Sequence, residues 1–264
     1  MKSLFLVLII STYLGAWAQT SVPRNGPHLE TDLIEKYEKD IEKKKLSAKD
    51  VQKRNRRTIK RMQELPLPSK EGGRVSISQN EANEIVQKMR LHPVVGNEAL
   101  KIYDPEGCIG FCFGRATWAH LELIKRKVNP ASTVKAFVVG SMVEGDSIWG
   151  WHVSDFVRSD DGEWRALDEA TGAVTLQEWL DYWRAQDDSG KVRLYMTDPR
   201  KFTAETGAYE DSHMREFYDG YFIDMFQDEG IAAAYMKVQF PSAKPKERQR
   251  TDSPGLLCKE IFAN

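Results

Sequence analysis

Trp149-Gly150-Trp151-His152-Val153-Ser154-Asp155-Phe156-Val157-Arg158-Ser159-Asp160-Asp161-Gly162-Glu163-Trp164-Arg165-Ala166-Leu167-Asp168 is the stretch that decides the fold. Aromatic and β-branched residues flank a polar turn, so it reads as two strands, Trp149–Val157 and Glu163–Asp168. Asp160-Asp161-Gly162 suits a three-residue hairpin loop with Gly162 in the left-handed position of a bulge. Ser159 then pairs with Glu163, paired residue numbers add to 322, and Asp168 faces Ser154. Side chains two apart on a strand share a face, so His152 and Asp168 become diagonal neighbours on one surface. A four-residue loop would put them on opposite faces.

Outward from this hairpin, Val134–Val143 supplies a further strand. Upstream, Gly107-Cys108-Ile109-Gly110-Phe111-Cys112 enters a helical run from Phe113 to Lys127, with Ala116, Ala119, Leu123 and Ile124 as its buried stripe. Ser78-x-x-Glu81 opens a helix that reaches about Arg90, before His92-Pro93. Thr175-x-x-Glu178 opens another, with Trp179, Leu180 and Trp183 on its apolar side, and the tail from Tyr209 to Tyr235 reads as helical. A helix, a run of strands, then helices predicts an α+β domain.

The candidate nucleophile is Cys112. Amides and the positive dipole end at a helix entrance favour a thiolate and can also face an oxyanion. Five histidines are available as a base: His28, His92, His120, His152 and His213. The hairpin register singles out His152, because it supplies Asp168 to orient the imidazole. Trp149, Trp151 and Trp118 are candidates for the wall of a substrate cleft, with core packing as their ordinary alternative. Each triad residue also has an ordinary structural reading: a small buried cysteine, a core histidine, a turn-capping aspartate.

The whole chain has 264 residues, a formal net charge of −1, 41% hydrophobic and 29% charged residues, which excludes a wholly disordered chain. Three cysteines are too few for a disulfide scaffold, and no Cys/His spacing reads as a zinc site. Lys2, the apolar run from Leu4 to Ile10 and Ala16-Trp17-Ala18 form a signal-peptide pattern over residues 1–18. The expected location is therefore secreted or periplasmic, without stable membrane insertion. Residues 19–70 form a charged segment, helical from His28 to Leu65. The first 70 residues carry +7 and the remainder −8, and dibasic pairs such as Arg56-Arg57 offer cleavage points, so a removable pro-region is expected ahead of a domain over 71–264. Its basic run, Lys49 to Arg61, has a solvated helix face as its plainer reading, and nucleic acid is not an expected partner.

Gly110-Phe-Cys112-Phe-Gly-Arg115-Ala116, Trp149-Gly-Trp151-His152-Val153 and Leu167-Asp168 resemble, in that order, the protein-glutaminase family of secreted protein deamidases. The resemblance covers 107–172, about a quarter of the chain. It implies an α+β, transglutaminase-like core in which the helix bearing the nucleophile packs on an antiparallel sheet. It also implies Cys112 as nucleophile, His152 as base and Asp168 as orienting acid, a glutamine-bearing protein or peptide as substrate, no metal or organic cofactor, and a pro-region over the site. Gly114 stands where that family has alanine, Glu169 where it has proline, and few of its cysteines are present. Cys108 pairs with Cys258 on one reading and with Cys112 on another. The rival functions are a transglutaminase-like acyltransferase, a cysteine peptidase, and a non-catalytic binding module working through the basic helices.

Overall fold

The computed structural model describes residues 32–105, 109–144, 147–205, 207, 209 and 220–239. The expected signal peptide, His28, His213, Cys108 and Cys258 lie outside the described residues.

Four antiparallel strands form one sheet in the order β3-β2-β1-β4: β1 Thr133–Glu144, β2 Ser147–Arg158, β3 Trp164–Leu167 and β4 Arg193–Thr197. The β2–β3 register is Asp155↔Leu167, Phe156↔Ala166, Val157↔Arg165 and Arg158↔Trp164. These pairs match the three-residue-loop reading; Ser159 N–H donates to Glu163 O at 2.8 Å, and Gly162 sits at φ +86°. β4 was not foreseen. It lies at the sheet edge against β1, where Leu194 pairs with Val138 and Tyr195 with Phe137.

Alternation along the strands builds two cores. Phe137, Val139, Val153, Val157, Leu167 and Tyr195 face one layer. It contains α3 (Gln79–Arg90), α5 (Cys112–Lys125) and α7 (Glu229–Gln239), with a helical stretch over 220–225. A short α4, Asn97–Tyr103, precedes α5. Val134, Ala136, Val138, Phe156, Ala166 and Leu194 face the opposite layer with Met62, Trp179, Leu180 and Trp183. That second layer consists of α2 (Ala48–Gln63) and α6 (Leu176–Ala185). Ser47/Asp50, Ser78/Glu81 and Thr175/Glu178 each close a reciprocal capping box at a helix start.

The charged N-terminal helices, α1 (Leu33–Glu38, continuing as a π turn through Lys43) and α2, are present as expected but are not set apart from the domain. Asn55 Nδ2 donates to Val192 O at 2.8 Å, and its Oδ1 accepts from Leu194 N at 2.9 Å. The end of α2 is held by the hairpin: Trp164 Nε1 donates to Met62 O at 2.8 Å, and Arg158 donates to the carbonyls of Met62, Gln63 and Leu65. The physical reason is the buried stripe Val51, Asn55, Thr58 and Met62, which needs the sheet face that β4 and β3 provide. Among the described residues, no helix is long and apolar enough to cross a membrane.

Replacing Asn55 with alanine strands a carbonyl, an amide and part of Arg193 in the interior, so it is expected to cost about 2–3 kcal/mol in denaturant unfolding. Removing residues through 65 is expected to give an unstable protein by the same measurement.

Candidate active site

Cys112 is the first residue of α5, and the chain reaches it through two left-handed residues, Gly110 (φ +73°) and Phe111 (φ +49°). A positive φ strains Phe111, which carries a Cβ. Its fully buried ring is held against Tyr221 (centroids 4.3 Å apart, 26° between planes) and Phe113 (5.6 Å), which keeps the strained turn in place. Asp104 Oδ2 accepts from Ile109 N at 2.9 Å and Gly110 N at 2.8 Å. Arg115, one turn into α5, donates to Gly110 O, Val95 O and Asn97 Oδ1. The approach to the cysteine is thereby pinned from both sides. Cys112 is a free thiol.

Tyr221 also explains Gly114. A Cβ built there would lie 2.5 Å from the Tyr221 ring and 2.6 Å from its hydroxyl. The aromatic ring occupies the space that an alanine methyl would need.

His152 and Asp168 meet on one face of the sheet, Nε2 to Oδ2 at 2.6 Å. Asp168 Oδ2 also accepts from Trp179 Nε1 at 2.7 Å, and Oδ1 accepts from Ala170 N at 2.8 Å. Trp183 stacks on the imidazole at 3.9 Å and 28°. With Nε2 committed to the carboxylate, Nδ1 is the ring nitrogen left over for the Cys112 thiol, which lines the same cavity.

Electrostatics follow from this geometry. Burial disfavours the imidazolium, but the Asp168 carboxylate and its hydrogen bond, helped by the neighbouring Cys112, outweigh it and raise the His152 pKa to about 9. Burial likewise opposes the Asp168 carboxylate, yet the His152 charge and the three donors hold its pKa below the ordinary value. His120, in the middle of α5, is buried and pushed down to about 3, with Nδ1 against the Tyr209 hydroxyl. His92 is spent on the backbone, accepting from Val94 N and Val95 N through Nδ1. Among the described histidines, only His152 shares a cavity with Cys112.

That cavity has a volume of about 560 Å³ and is lined by Cys112, His152 and Asp168 together with Trp149 and Trp151. Its lining comes from both layers, because it lies at the end of the sheet beyond β3. Trp118 is not part of it: the ring is fully buried, edge-on to His92 at 5.3 Å, so of its two readings it takes core packing. Trp179 and Trp183 were legible only as the apolar face of α6, although one holds the acid and the other covers the base.

Glu169 has its own use. Its carbonyl accepts from Arg90, and its carboxylate accepts from Asn97 Nδ2 at 2.6 Å. Asn97 in turn bonds Arg115, so the residue after the acid is linked through side chains to the loop before the nucleophile. Among the described residues, no cluster of three or more His, Cys, Asp or Glu side chains is placed to hold a metal ion.

No protein-family model matches the sequence, and no curated protein matches it. Among solved structures, the chain is similar to the NMR structure of protein-glutaminase from Chryseobacterium proteolyticum, with 16% identity, a TM-score of 0.38, and coverage of 69% of this chain and 98% of that one. It is also similar to the crystal structure of pro-protein-glutaminase, with 16% identity, a TM-score of 0.40 and coverage of 62% of each chain. At these scores, function has to be read from the site itself.

The His152 imidazole, followed by NMR against pH, is expected to titrate near pH 9, and well below that in Asp168→Asn, where burial meets less opposition. Because the folded pKa of His152 lies above the free value of 6.5, its contribution to stability is complete at about pH 6.5 and is lost as pH rises through about 9. That of Asp168, whose pKa is lowered, is lost only as pH falls below the carboxylate range. Gly114→Ala is expected to lower stability by about 1–3 kcal/mol through its clash with Tyr221, read as a lower midpoint of thermal unfolding.

Proposed function

We propose that this protein is an exported cysteine amidohydrolase that deamidates glutamine side chains in proteins or peptides, with Cys112 as nucleophile, His152 as base and Asp168 as its orienting acid. The observation that carries the reading is the imidazole held between a buried carboxylate and the thiol at a helix entrance.

With the Cys112 proton resident on Nδ1 of His152, as the raised pKa of that imidazole favours, the sulfur attacks the carboxamide carbon. A C–S bond forms, and the carbonyl oxygen takes the negative charge. The Cys112 N–H, at a helical position without an intrahelical acceptor, is placed to receive that charge. Imidazolium then protonates the amide nitrogen, the C–N bond breaks, and ammonia leaves. Water, deprotonated by His152, attacks the thioester; glutamate departs and the thiol is restored. Asp168 holds the tautomer with Nε2–H throughout and stabilises the imidazolium. Every proton is carried by groups of the chain or by water, so the cycle calls for no metal or organic cofactor.

Trp149 and Trp151 wall the cavity where the substrate enters. Residues 32–70 contribute nothing to its lining. Met62 at the end of α2 packs in the layer that holds α6, while Leu33 of α1 packs in the opposite core. The same thioester, resolved by an amine or reached from a peptide bond, would give transamidation or proteolysis, and the product distinguishes the three.

Incubation with a capped glutamine peptide is expected to release ammonia and yield a product 1 Da heavier, with at least a thousandfold loss in Cys112→Ala, consistent with about 10³ or more for loss of a nucleophile. Amine incorporation, backbone cleavage, or turnover unchanged in Cys112→Ala contradicts the proposal.

A further inference from the structure

β2 is twelve residues long and β3 only four. β3 therefore pairs only with Asp155–Arg158, and at Asp168 the chain turns back on itself, with Gly172 N donating to Asp168 O at 2.9 Å. Among the described residues, the remainder of β2 continues past this point with no strand paired on that side. Which groups lie along the open edge follows from the ladder. Ser159 N–H donates across to Glu163, and in an antiparallel pair the groups aimed at one neighbour recur every second residue. Val157 and Asp155 repeat that direction toward β3, and Val153 and Trp151 repeat it where β3 has ended. Register slip does not disturb this count, since the bulge between β1 and β2 adds its extra residue to β1, between Val139 and Met142. Val153 and Trp151 line the same cavity as Cys112, His152 and Asp168.

An unpaired strand edge inside a cavity presents donors and acceptors in a fixed two-residue rhythm, and the group that satisfies such a row is another extended backbone. We infer that the substrate's main chain docks here, as an extended polypeptide segment laid beside β2 in the place β3 vacates, with its backbone bonded to Trp151 and Val153 and its glutamine side chain directed at Cys112. This rests on the amidohydrolase reading above. It narrows the substrate class to glutamines in flexible segments with residues on both sides, because a helix has no free backbone groups to offer and free glutamine has too little chain to span the two sites.

Two experiments on the full chain test the inference. In the first, a capped glutamine peptide is methylated at one backbone nitrogen at a time, and ammonia release is measured. Each lost edge bond is expected to reduce kcat/KM by about fivefold to tenfold, in line with about 1 kcal/mol or more per bond, at alternate residues only. A uniform effect, or none, overturns the docking. In the second, Cys112→Ala is mixed with the unmodified peptide, and amide hydrogen exchange is followed by NMR. Slowed exchange at Trp151 and Val153 supports the docking even where no peptide is ever turned over, a result that would reject the hydrolase reading alone. Exchange unchanged at both amides at saturating peptide overturns the docking whether or not ammonia is released by the unsubstituted protein.

Discussion

One register governs the site. The β2–β3 hairpin turns through three residues with Gly162 in a left-handed conformation, and that odd number sets His152 and Asp168 on the same face. Shifting the pairing by one residue would send the carboxylate to the far side of the sheet and leave the imidazole without its partner. Trp164 and Arg158, the last pair before the turn, are themselves fastened to the end of α2. Burial of the N-terminal helices and the geometry of the site are thus consequences of the same hairpin.

The hairpin supplies base and acid, and a different device supplies the nucleophile. Phe111 is held in a strained conformation by its aromatic neighbours so that α5 can begin at Cys112. The two halves are joined by Glu169, Asn97 and Arg115, a chain of polar contacts running from the residue after the acid to the carbonyl two residues before the thiol. Burial would ordinarily neutralise a histidine, as it does His120. At His152 the opposite occurs, because a carboxylate with three donors stands beside it. Environment, rather than residue type, separates the two histidines.

Much of this was legible in residue order. The turn chemistry of Asp160-Asp161-Gly162 gave the pairing, and the capping patterns at Ser78 and Thr175 gave two helix starts. β4 escaped because Arg193–Thr197 is short, although Ser189-Gly190 and Asp198-Pro199 bracket it; it is a strand because β1 needs a neighbour. α2 read as a detachable charged helix because its polar face dominates its composition, while its hold on the sheet depends on Asn55, a residue type that gives no sign of burial in sequence. The contacts of Trp179 and Trp183 with the acid and the base were hidden for a related reason: helical periodicity reveals which face is buried but not what lies across from it. Trp118 and Trp151 looked alike, and only the packing of α5 separates the core residue from the cavity residue.

If Cys112, His152 and Asp168 act as one unit, their effects on the reactivity of the thiol must not add. The direct measurement is the rate of iodoacetamide alkylation at Cys112 at neutral pH in the unsubstituted protein, His152→Ala, Asp168→Asn and the double variant. The account predicts fast, selective alkylation that falls in both single variants and falls no further in the double one. Rates that are unchanged in His152→Ala, or losses that multiply in the double variant, would contradict it.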